Sequence, residues 1–290
     1  MRHSSFLMSV AFVGAVLFAG GGFANPVPLS LTQQQAGPSV SALIKVLKID
    51  DVIAVMQQEG LKYGKDMEAE LFPEAGGATW TQGVALIYDG ATMRARFEAA
   101  FSNQFAGAEA ELPAIEGFFK TDLGQQILTL EVEARRSLMD EAVEDAAKAR
   151  VEDMRAEEAP RMGALEAFSD ANDLIEMNVM GAMNSNLAFL QGMGEVGALS
   201  EDMTQEDMLA DVWGQEPDIR NETEGWIFPY LALAYGPLSD ADFAAYLAFC
   251  ETAAGQKLNA ALFGAFDEVF SAISRDLGRA AARQMMGEDI

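Results

Sequence analysis

Met177, Met180 and Met183 stand at steps of three, with Met193 beyond them. Thioethers are soft ligands that suit Cu(I), and Met-rich helix faces also form adaptable binding surfaces. The simpler reading is a buried stripe, because Leu174, Leu187 and Leu190 continue the region and no His or Cys stands near to complete a site. A second candidate is Glu131 with Arg135. The acid precedes the base by four residues, the favourable order for an ion pair on a helix. Its simpler reading is a solvated helix face. The functional reading is a polar cleft holding a paired carboxylate, and paired carboxylates can do acid–base work on glycosides. No facing partner at the required separation can be named. The sequence therefore assigns no catalytic, cofactor-binding or metal-ligating residue.

Composition narrows the remaining chemistry. The 290 residues carry 19 Lys and Arg against 45 Asp and Glu, a formal charge of -26, so phosphate backbones are repelled and nucleic acid is excluded as a partner. Half of the residues are hydrophobic, too many for a disordered chain. The single His is His3, in a segment expected to be removed. Without it, Ser-His-Asp and Cys-His catalysis, His-ligated zinc and Glu-x-x-His di-iron sites all fall away. Cys250 is also alone, in the apolar run of Tyr246, Leu247 and Phe249, so no internal disulfide can form and a buried thiol is expected. Acidic clusters such as Glu141, Glu144 and Asp145 lack the spacing of a calcium loop. No Walker loop, Rossmann fingerprint, G-x-S-x-G or C-x-x-C is present.

Residues 1–24 read as a secretory signal: Arg2, an apolar stretch from Phe6 to Ala19, three glycines, then Gly22-Phe23-Ala24 ahead of Asn25. Cleavage would remove one positive charge and no acid, leaving about 266 residues in the periplasm or outside the cell. Residues 25–38, with three prolines and three consecutive glutamines, read as a flexible lead-in. No stable membrane span is expected after cleavage.

From Ser39 onward the apolar spacing is helical almost everywhere, and no long stretch alternates with period two. Asp50 or Asp51 is expected to cap a helix ending before Pro73. Shorter helices follow at 80–88, 92–105 and 111–120, then a long one from Asp122 toward Glu157, stopped by Pro160. Beyond it the spacing predicts helices from Asp170 or Asp173 to Leu190, over 205–212 and 226–235, over 241–251 after a Ser239 or Asp240 cap, and from Ala253 to Met286.

The two longest predicted helices begin alike. The run Phe118-Phe119-Lys120-Thr121-Asp122-Leu123-Gly124-Gln125 falls, 131 residues on, over Phe249-Cys250-Glu251-Thr252-Ala253-Ala254-Gly255-Gln256. The shared Phe-x-x-Thr-x-x-Gly-Gln reads as a helix corner. Phe ends one helix, Thr caps the next, Gly admits the preceding helix at close range, and Gln can reach back to a free carbonyl. Downstream, Leu258, Leu262, Phe263, Phe266, Val269, Phe270, Ile273 and Leu277 form a continuous apolar stripe, whereas Glu131 and Arg135 take the places of Leu262 and Phe266 in the first copy.

This corner resembles the bacterial family called domain of unknown function 2059. The resemblance implies a secreted, all-helical protein and no activity that could be carried to a residue. The second copy, 226–286, reads as the better match and the first, 97–157, as the weaker. The family often has Tyr after the Phe and Pro after the Ser or Thr; here Phe119 and Cys250, then Asp122 and Ala253, hold those places.

The expected architecture is all-α, with two homologous helical repeats over 39–160 and 161–290, each closed by a long amphipathic helix, the two long helices packing together. Three function classes stay open. The leading one is a non-catalytic interaction or chaperone-like module for another protein of the bacterial envelope. The others are a carboxylate-dependent hydrolase of cell-wall glycan and, as a minor class, a Met-based copper carrier. A hydrolase needs a concave cleft faced by a poorly solvated Glu; an interaction module needs an exposed apolar or Met-rich patch.

Overall fold

The computed structural model describes residues 39–72, 76–200 and 202–287, so the expected signal at 1–24 and lead-in at 25–38 lie outside it. The described residues form helices and no strand. They are α1 (Val40–Val46), α2 (Ile49–Leu71), α3 (Gly77–Ile87), α4 (Gly90–Gln104), α5 (Leu112–Phe119), α6 (Asp122–Ser137), α7 (Glu141–Ala156), α8 (Pro160–Ala171), α9 (Leu174–Glu195), α10 (Gln205–Gly214), α11 (Glu216–Tyr235), α12 (Asp240–Cys250) and α13 (Ala253–Met286). The chain is all-α, as its periodicity predicts.

Local chemistry sets most boundaries. Ser39, Asp89, Asp140, Ser239 and Thr252 each accept a backbone N–H of the turn they open, and Thr204 forms a capping box with Asp207. Pro160 and Pro217 stand in the first turn of α8 and α11, where a missing N–H costs nothing. Pro160 therefore starts a helix as well as ending the preceding region. The long helix expected from Asp122 to Glu157 is in fact two, because Asp140 caps a new start at Glu141. Asp50 and Asp51 lie inside the first turn of α2; the residue before it, Lys48, is left-handed.

Residues 192–195 also depart from expectation, being helical where glycine suggests a loop. A Cβ on Gly192 would lie 2.1 Å from the Arg275 carbonyl oxygen, and one on Gly278 2.2 Å from that of Phe189. The glycines are there to let α9 and α13 cross almost backbone to backbone.

Long helix α13 packs chiefly on α9 and α4, while α11 lies across α6, α7 and α9. The expectation that the two long helices pack together is thus corrected. Glu131 and Arg135 interrupt the apolar stripe on α6, and that face meets α2 and α11 instead. The largest buried cluster runs from Leu43 to Ala281 and draws on both halves of the chain.

The two corners adopt the same geometry. Thr121 Oγ1 accepts the Gly124 N–H at 3.0 Å and donates to the Phe118 carbonyl at 2.7 Å; Thr252 does the same with Gly255 and Phe249. A Cβ on either glycine would meet the preceding helix's backbone, at 2.5 Å for Gly124 and 2.4 Å for Gly255. Gln125 reaches back to the Phe119 carbonyl at 2.7 Å. The corners also face each other: the Phe118 and Phe249 rings stack with centroids 4.0 Å apart.

Candidate functional site

A cavity of about 520 Å³ lies between the first and second halves of the chain. Its volume is within the range that holds a small molecule. Helix α2 contributes Met56, Glu59, Gly60 and Tyr63, whose spacing of three and four puts them on one face. Helix α11 contributes Ile219, Glu222, Thr223, Trp226 and Ile227 by the same rule. Asn178 and Ala182 come from α9, Phe270 from α13, and Arg135, Leu138 and Met139 from the end of α6 and its link to α7. Tyr88, just past α3, reaches the wall because Gly60 leaves room; a Cβ there would lie 2.1 Å from the Tyr88 ring.

The floor is buried and mainly apolar, from Met56, Tyr88, Leu138, Ile219, Ile227 and Phe270. The rim carries the exposed side chains of Lys62, Asp66, Lys148 and Glu222. Two residues of the wall, Asn178 and Tyr63, each carry a polar atom that has neither a protein partner nor accessible surface. The Asn178 side chain is 3% exposed and donates through Nδ2 to the Leu174 carbonyl at 2.7 Å, which leaves its buried Oδ1 unmatched. The buried Tyr63 hydroxyl is unmatched as well.

Arg135 and Glu131 part company. Arg135 holds Glu59 through Nε at 2.9 and 3.1 Å and Nη2 at 2.7 Å. Burial opposes its charge, but the Glu59 charge and hydrogen bonds outweigh burial and hold the guanidinium above its usual pKa. Glu131, one turn earlier on the same side of α6, has different partners: the hydroxyls of Tyr235 and Tyr246 donate to its Oε1 at 2.7 and 3.0 Å. Burial pushes its carboxyl up to about 7, against the lowering effect of those two bonds. Both side chains are buried, so the solvated-face reading fails, and the i,i+4 pair between them is replaced by partners on α2, α11 and α12. Sequence spacing could not show this, since both sets of partners are more than 70 residues away.

Only Arg135 reaches the cavity. Glu131 faces a pocket of about 20 Å³, room for about one water. Asp267, also raised by burial, is not in the cavity wall either. The polar cleft with a paired carboxylate is thus not what forms: the cavity is mainly apolar, and the buried Glu with a raised pKa lies behind its wall.

The three methionines separate. Met177 packs against the main core, Met180 is 54% exposed, and Met183 is buried in a second cluster with Val179, Ala182, Val212 and Ile219. A step of three on a helix of 3.6 residues per turn drifts by about 60°, so the three side chains fan out over about 120° instead of converging. Among the described residues no group of three or more His, Cys, Asp or Glu could hold a metal ion, and no helix is long and apolar enough to cross a membrane. Cys250 is fully buried, and burial pushes its thiol up.

Residues 91–153 match the model of a family described as an uncharacterized protein conserved in bacteria, domain of unknown function 2059. The match spans α4 to most of α7 and contains the first corner, whereas the motif alone ranks the second corner ahead. Comparison with curated proteins and with solved structures finds no match.

Proposed function

We propose that this chain is a non-catalytic, chaperone-like binding module of the bacterial envelope, exported by the segment at 1–24, and that the cavity between its halves is where it takes an amphipathic guest. The cavity carries the proposal: a buried apolar floor under a charged rim. Such a lining favours burial of a nonpolar body and fixes its orientation with a few polar contacts. The glycan-hydrolase alternative draws less support. It needs a poorly solvated carboxyl facing the cleft, and among the described residues the carboxyls that burial raises, Glu131 and Asp267, lie off the wall.

The test is titration of the protein, beginning at Asn25, with N-phenyl-1-naphthylamine, an uncharged dye that brightens in apolar surroundings. One saturable site is expected, lost in T223W, which places a bulky ring in the cavity wall. Absence of a saturable site, or equal binding by T223W with unchanged circular dichroism, would overturn the reading.

A further inference from the structure

Charge is distributed unevenly around the cavity. Three cations and four carboxylates line its wall. Two of the cations are already neutralised, Arg135 by Glu59 at 2.7 Å and Lys148 by Glu144 at 2.6 Å. The third, Lys62, shares the rim but donates to the Met139 carbonyl at 3.4 Å. Against it stand the exposed carboxylates of Asp66 on α2 and Glu222 on α11. Asp66 has no hydrogen bond or ion pair among the described residues. An anionic head would have to break one of the existing contacts to find a cation.

Aromatic rings make up much of the remaining wall. Tyr63 on α2, Tyr88 after α3, Trp226 on α11 and Phe270 on α13 reach the cavity from four different elements. A ring face attracts a cation through its quadrupole and repels an anion, and the attraction grows as water is excluded. Such a wall accepts a charged nitrogen that an aliphatic wall would reject. The field of the whole molecule has the same sign. The chain carries 45 acidic against 19 basic residues, and a cleft in such a molecule concentrates cations.

We infer that the cavity selects a cationic guest: an apolar body on the buried floor, and an ammonium or guanidinium head held at the rim by Asp66 and Glu222. This rests on the cavity being the binding site, and deepens it by naming the ligand class. The body supplies most of the affinity through burial, and the head supplies the selectivity. An uncharged head gains nothing from the rim carboxylates, and a carboxylate head is repelled by them. The same body and head occur in a small amine and in a lysine side chain flanked by apolar residues.

The experiment displaces the bound dye with ligands that share an eight-carbon chain and differ in head: octylamine, octyltrimethylammonium, octanol and octanoate. At pH about 8 and low salt, the two cations are expected to act at concentrations about tenfold below octanol and octanoate. That ratio is in line with one cation–π contact and two rim carboxylates. D66N/E222Q should shrink the preference to about threefold or less while the dye still binds. E152Q/D153N removes two charges from exposed positions of α7 outside the wall and should leave the preference unchanged. Acetyl-leucyl-lysyl-leucinamide separates the two sources: displacement below the octylamine concentration assigns the head to a protein segment, and the reverse order assigns it to a small amine. Equal or tighter displacement by octanol or octanoate would overturn the inference. So would a preference unchanged in D66N/E222Q, or one lost equally in E152Q/D153N. In those cases the dye result still stands and the cavity reading survives; failure of the dye to bind removes both.

Discussion

Replacing Glu131 by Gln should change how stability depends on pH. The carboxyl sits near 7 in the folded chain, against an ordinary value of 4.5. Its folded value is raised, so its contribution is fully present below pH 4.5, where it is neutral in both states. The contribution is lost as pH rises through the folded value and the group must ionise in a buried site. The full difference is about 3 kcal/mol, of which about 2.5 kcal/mol falls between pH 5 and pH 8. Gln can still accept from Tyr235 and Tyr246 and has no charge to bury. Urea unfolding, followed by circular dichroism, gives stability for both proteins at each pH. Relative to the native chain, E131Q is expected to gain about 2 to 3 kcal/mol between pH 5 and pH 8, whatever constant offset the amide introduces. Every other titrating group is common to the two proteins and cancels. Parallel pH profiles would refute the buried-carboxyl account.

Two further outcomes follow from geometry. Gly to Ala inside a helix normally stabilises by up to about 1 kcal/mol, as expected for G163A on α8, where a Cβ meets nothing. At G124A and G255A the sign should reverse, with a loss of about 2 kcal/mol or more from backbone overlap, read as a fall in the urea midpoint. E59Q should cost about 2 to 3 kcal/mol in the same assay by removing the Glu59 charge from beside the buried Arg135, and E59Q/R135M should recover part of that loss.

What the sequence disclosed was what neighbouring residues decide. The corners were legible because Thr caps within three residues and Gly answers a clash with the preceding helix. Helix α13, with its continuous apolar stripe, runs from Ala253 to Met286 as its periodicity implies. The break after α6 was missed although Asp140 is an ordinary cap, because apolar spacing resumes beyond it. The cavity was hidden for a different reason. Nothing local marks Met56, Tyr63 or Asn178, because the wall they share exists only once α2, α9 and α11 have met. Glu131 and Arg135 were singled out correctly as unusual and paired wrongly, since their partners come from distant helices.

The meeting of the two corners bears on the order in which the chain can acquire its structure. Phe118 waits for Phe249, and Glu131 for Tyr235 and Tyr246, so a nascent chain ending near residue 230 holds a carboxylate whose donors do not yet exist. Contacts across more than a hundred residues close late and slowly. Until α12 has been synthesised, the first half has no reason to bury Glu131 and keeps an aromatic edge open at Phe118. The last fifth of the polypeptide thus acts as the clasp that commits the earlier helices to their native places.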